Sequence, residues 1–195
     1  MINDILEQVA EDYFRSKGYF TQHNVKYRPS IKNKKYSVHS DIDILGIHPL
    51  QKGKSRVIVG SCKSWQVGLN IESELGFLEN RGKIISGREY WKTFRELADK
   101  TWAKALKDKV KELTGQNTFI FYLIVTRYEG DKNLWENFPL FKGNLINCDI
   151  RLISLETILS DLYELLDTTP AHSELSRLLQ LIKADNGKII YERKN

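Results

Sequence analysis

The sequence predicts an α/β fold, a mixed sheet of about five strands flanked by helices. Three observations predict it. An amphipathic helical pattern opens the chain. A run that turns from alternating to apolar, YSVHSDIDILGI, is followed across a short turn by a second core run, RVIVGSC. A near-continuous apolar run rich in β-branched and aromatic residues, TFIFYLIVT, then precedes a short strand that runs into a helix, DIRLISLETILSDLYELL.

In chain order, residues 3–17 read as a helix, because Ile5, Leu6, Val9, Tyr13 and Phe14 recur at helical spacing. Asn3 is the expected N-cap and Gly18 the stop. Glu7 sits at the border of the apolar stripe, where a carboxylate reaches a cleft. Residues 24–30 read as extended, with Pro29 suiting a strand end, and IKNKK reads as a polar turn. Residues 36–47 and 56–62 read as core strands joined by HPLQKGKS. Residues 66–87 hold four glycines without a clear period and read as loop with short helical pieces. Residues 88–114 read as one long helix with the stripe Trp91, Phe94, Leu97, Ala98, Thr101, Ala105 and Leu106, stopped by Gly115. Residues 118–126 read as a buried central strand, and 149–153 as a short one. Ser154 caps a helix to Leu166, Pro170 breaks, 172–184 form a last helix, and 188–193 form a small strand or tail. The expectation is a single domain over 1–195, with its core in 3–167 and a C-terminal helix and tail in 168–195.

Composition narrows the class. With 195 residues and 41% hydrophobic content, the chain can bury a core without disulfides. No apolar run is long enough for a membrane span. The acidic, helical N-terminus does not read as a targeting peptide. Cys62 and Cys148 show neither disulfide-framework nor zinc spacing, so a reducing cytoplasm is the expected location. No Walker, GxGxxG or GxSxG pattern supports nucleotide or serine-hydrolase chemistry.

Charge is unevenly placed. The net +5 hides four acids and no base in residues 1–12, then eleven bases against two acids in 13–71, then 19 of each. A basic block suits a polyanionic partner, since Lys and Arg on phosphates release counterions. The two acids in that block, Asp41 and Asp43, stand two residues apart on the first core strand, and Lys63 ends the next. Neighbouring strands joined by a short turn can set Asp43 and Lys63 side by side at one sheet end. A carboxylate that binds a hard cation beside an ammonium is what phosphodiester hydrolysis needs. A buried acid without a partner is costly, which makes Asp43 hard to read as structural. His23, His39, His48 and His172 show no metal or nucleophile spacing and read as ordinary residues, with contact to phosphate as the alternative for His39 and His23.

These residues resemble the PD-(D/E)xK nuclease superfamily, closest to its Mrr-like and Holliday-junction-resolvase-like branches. The shared order is a helix with Glu (Glu7 in ILEQVAEDYFRSKGY), a strand with Asp (Asp43 in SDIDILG), and a strand ending in the lysine (Lys63 in VIVGSCKSW). The apolar strand FIFYLIVT and the strand–helix DIRLISLETILSDLYELL fit the same order, so the resemblance spans about residues 3–167. It implies a restriction-endonuclease-like sheet and a metal-dependent endodeoxyribonuclease. It further implies Asp43 as main metal ligand, the Cys62 backbone carbonyl as another, Glu7 in support, Lys63 as the catalytic lysine, and Mg²⁺ or Mn²⁺ as cofactor. The departure is Ser61, which stands where the family has Glu, Asp or Gln. Glu72 and Glu74 are the nearest downstream acids that could replace the lost carboxylate, and Gln66 could lend an oxygen. Alternatively the chain binds nucleic acid without cutting it. The expected partner is DNA, with RNA as an alternative, held by Lys26, Arg28, Lys32, Lys34, Lys35 and Gln66. A homodimer is also expected.

Overall fold

The computed structural model describes residues 4–30, 38–167, 169, 171, 173–185 and 187. The expected turn over 31–35, with Lys32, Lys34 and Lys35, and the strand or tail over 188–193 lie outside the described residues.

Helix α1 (Ile5–Ser16) buries Leu6, Val9, Ala10, Tyr13 and Phe14, the stripe set by its spacing, except that Ile5 is exposed. Its N-cap is Asp4, whose carboxylate accepts the Leu6 N–H at 2.7 Å. Asn3, the expected cap, lies outside the described residues. Strand β1 (Phe20–Tyr27) begins earlier than expected, at Phe20 rather than Asn24. It is an edge strand, paired antiparallel with β2 (Ser40–Ile47) from Phe20↔Ile47 to Tyr27↔Ser40. An edge strand needs no apolar run, and the polar FTQH therefore gave no signal. A 3₁₀ turn at Gly53–Arg56 leads into β3 (Val57–Lys63), antiparallel to β2 through Ile44↔Gly60 and Ile47↔Val57.

The expected loop over 66–87 contains more structure than its glycines suggested. A two-residue strand β4 (Leu69–Asn70) precedes helix α2 (Ile71–Glu79), where Asn70 Oδ1 accepts the Ser73 N–H at 3.0 Å. Strands β5 (Ile84–Ile85) and β6 (Arg88–Glu89) form a tight hairpin. Its turn residues Ser86 and Gly87 both have positive φ, which suits the twist of a two-residue hairpin.

The expected single helix over 88–114 is broken. After β6 comes a 3₁₀ turn (Tyr90–Phe94), then a short α3 (Arg95–Ala98), then α4 (Lys100–Thr114). Asp99 makes the break. Its backbone is extended, and its carboxylate accepts the N–H groups of Thr101 and Trp102 at 2.9 and 3.2 Å. Strand β7 (Ile120–Val125) leads through β8 (Tyr128–Glu129), α5 (Lys132–Glu136) and α6 (Pro139–Asn144) to β9 (Asp149–Ser154). Helices α7 (Leu155–Leu165) and α8 (Glu174–Ala184) close the described chain.

The main sheet has five strands in the order β1-β2-β3-β7-β9. The first three are antiparallel, and β7 and β9 join β3 in parallel, so the sheet is mixed as the sequence predicts. Helices cover both faces. Ile58, Ile124 and Ile153 pack with α1 and α7 on one face. Val57, Val59, Phe121 and Leu123 pack with Phe94, Trp102, Trp135 and Phe141 on the other, following the strand period of two. Both cysteines are free thiols. Among the described residues no helix is long and apolar enough to cross a membrane.

Close approach of β2 and β3 fixes where their ends meet. At Gly46 a Cβ would stand 2.7 Å from Ile58 Cγ1 and 2.9 Å from its Cδ1. Gly46→Ala should therefore force Ile58 to shift and lower stability by about 1–3 kcal/mol. A fall in the urea midpoint is the expected result; an unchanged midpoint contradicts tight packing at this point.

Candidate active site

The site is built where β2 and β3 end side by side. Beyond the Ile44↔Gly60 pair, the Cys62 backbone N–H donates to Asp43 Oδ2 at 2.6 Å. Asp43, Ser61 and Lys63 line one open cavity of about 420 Å³. The Asp43–Lys63 juxtaposition expected from the sequence is thus present.

The electrostatics are those of carboxylates drawn out of water. Burial pushes the Asp43 carboxyl up from its ordinary range, while the Cys62 N–H and the Lys63 ammonium pull it down. Glu7 is half-buried on the first turn of α1 and does not line the cavity. Its carboxyl is raised by burial and then by the nearby charges of Asp43 and Asp4, against His23 and Lys63. It therefore shares the field of the site. Asp41 lies exposed at the cavity wall.

His23, read as ordinary from its sequence context, braces this site. Its Nδ1 lies 3.1 Å from the Asp43 carbonyl oxygen and its Nε2 lies 2.8 Å from Glu11 Oε1. Thr21 donates to that same Glu11 oxygen at 2.7 Å. The strand backbone at Asp43 is thereby tied to α1.

The residue that sequence reading missed is Glu96. It is only 6% exposed, on the short helix α3, and it lines the cavity with Asp43, Ser61 and Lys63. Burial raises its carboxyl above the ordinary range, opposed first by the Lys63 ammonium. Read as part of one continuous helix, Glu96 falls outside the apolar stripe. The 3₁₀ turn before it and the break at Asp99 change the phase and turn it inward. Asp99 ahead of Lys100-Thr101-Trp102, a capping residue inside the apparent helix, was the available clue.

The other candidates separate. Glu72 lies in a different groove, against residues 133–139. Glu74 is pushed up to about 7 by burial, and neither acid lines the Asp43 cavity. The structure therefore does not bring the two proposed substitutes to the site. Gln66 is exposed in the turn after β3 and also lies off the cavity. Lys26 and Arg28 line a neighbouring cavity of about 390 Å³. Arg88, Lys92 and Arg95, none singled out from the sequence as site residues, bring positive charge to the Asp43 cavity itself.

No protein-family model matches the chain, and neither a curated protein nor a solved structure does.

Glu96 supplies a sign-determined test. A carboxyl raised by folding stabilises below its unfolded value and loses that contribution as pH rises through the folded one. As pH rises above the range of the unfolded carboxyl, the buried Glu96 should increasingly cost stability. Glu96→Gln is expected to raise the urea midpoint at pH 7, with the gain vanishing below about pH 4, where the unfolded carboxyl also carries its proton. A loss of stability at pH 7 would contradict this placement.

Proposed function

We propose that this chain is a divalent-metal-dependent nuclease that hydrolyses phosphodiester bonds of DNA. The observation that carries the reading is one cavity shared by Asp43, Lys63 and the buried Glu96. It supports the resemblance to the PD-(D/E)xK superfamily and offers a carboxylate where Ser61 lacks one.

The donor set suits a hard cation. Asp43 and Glu96 are oxygen ligands, and the Cys62 carbonyl is a further candidate at the same strand end. Among the described residues no group of three or more His, Cys, Asp or Glu side chains could hold a metal. Two carboxylates are nevertheless enough for Mg²⁺, which keeps several waters and completes its shell with substrate phosphate oxygens. When bound, the cation supplies Lewis-acid polarisation of the phosphoryl group. Lys63 sets an ammonium beside the reacting phosphorus, where it steadies the charge developing on the phosphoryl oxygens and orients the attacking water. Arg88, on the wall of the same cavity, holds a phosphate next to the scissile one. Glu7 acts through its charge, and His23 positions Asp43.

The second reading, nucleic-acid binding without cleavage, is favoured by one observation: Ser61 is buried at the site and offers only a short neutral oxygen. The two readings part on plasmid DNA. With Mg²⁺ or Mn²⁺ the wild type is expected to nick or linearise it, and EDTA to stop it. Lys63→Ala and Asp43→Ala should each slow cleavage by at least about 100-fold while circular dichroism stays unchanged. Retained salt-sensitive binding with no cleavage in either metal would select the second reading; unaltered rates in the variants would refute the site.

A further inference from the structure

The Asp43 cavity and its neighbour share one residue, His39, at the start of β2. The second cavity lies between the end of β1, with Lys26, Tyr27 and Arg28, and helix α4. Its two acids are already engaged on that helix: Asp108 by Lys104 at 2.5 Å and Glu112 by Lys109 at 2.7 Å. Among the described residues, none of the ion pairs includes Lys26, Arg28 or, in the Asp43 cavity, Arg88. Lys92 is held by Glu89 at 2.6 Å, and the Arg95 guanidinium lies 4.8 Å from the centre of the Trp102 ring. The unspent positive charge therefore lies in both cavities, which share His39, with the candidate reaction centre in one of them.

We infer that the substrate is a polynucleotide whose backbone leaves the Asp43 cavity, crosses His39 and is held by Lys26 and Arg28 in the second cavity. This rests on the nucleic-acid reading of the Asp43 site but not on cleavage. The recognised chemistry is a run of backbone phosphates, from a single strand or from one strand of a duplex. Free nucleotides and very short oligonucleotides reach only the first cavity. Longer chains gain the Lys26 and Arg28 contacts, so affinity depends on length, and the two cations act on binding rather than on the bond being broken.

The test measures fluorescence anisotropy with labelled oligonucleotides in EDTA, so that cleavage plays no part. Wild type should gain at least tenfold in affinity between lengths of about 4 and about 16 nucleotides. In Lys26→Ala/Arg28→Ala that gain should fall below threefold. The slope of log K against log salt should drop by about 1.4 with a single-stranded probe and by about 1.8 with a duplex probe; the probe form that shows both this drop and the length gain is the one that follows the track. Lys52→Ala/Lys132→Ala, which removes two exposed cations away from both cavities, serves as control. A retained length gain, an unchanged salt slope, or an equal loss in the control variant would each overturn the track. If plasmid cleavage fails but the length gain and its loss are seen, the track stands and only the nuclease reading falls.

Discussion

The structure around the site depends on the pairing of β2 with β3 and on the hydrogen bond that finishes it. The Cys62 N–H reaches the Asp43 carboxylate at 2.6 Å, just past the last regular pair of the ladder. A hydrogen bond to a charged group contributes about 1.5–3 kcal/mol, more than a neutral one. Through it the position of Asp43 is set by β3, the strand that also carries Ser61 and Lys63. His23 adds a second tie, from β1 to the Asp43 backbone, and Glu11 extends it to α1. Three consecutive strands and the first helix thus converge on one carboxylate. This is the degree of fixing that metal and phosphate geometry demand.

Around that fixed point the protein gathers carboxylates that would rather be neutral. Asp43, Glu7 and Glu96 are all raised by burial, and in each case Lys63 opposes the rise. An assembly of this kind costs stability in the empty protein and favours whatever cation or proton relieves it. Under the proposed function, the bound cation is what relieves this cost. Arg88, Lys92 and Arg95 set positive charge around these carboxylates in the same cavity; under the proposed function this charge attracts phosphate.

Much of the fold was legible because its cues were local. The stripe of α1, the apolar run of β7 and the Ser154 cap before α7 each fix an element without reference to the rest. Asp43 and Lys63 were legible for a similar reason: charged residues inside or ending apolar strands are costly unless they are used. What escaped was set by tertiary context. The first half of β1 is polar because it lies on an edge. The two short helices α5 and α6 were not foreseen between β7 and β9. Glu96 was hidden because a 3₁₀ turn before it and the capping residue Asp99 after it divide what reads as a single helix, and the short α3 between them buries Glu96 beside the expected Leu97 and Ala98. The substitutes chosen by proximity in sequence, Glu72 and Glu74, lie elsewhere, since nearness along the chain says little about nearness to a strand end.

The central claim is that Glu96 performs at this site the task a carboxylate at position 61 would perform. Single-turnover cleavage by Glu96→Gln, and by the same variant carrying Ser61→Glu, measures it most directly. The expected result is a loss of at least about 100-fold in Glu96→Gln, partly restored, by about tenfold or more, when the carboxylate is returned to the strand beside Lys63. Wild-type rates in Glu96→Gln would contradict the claim.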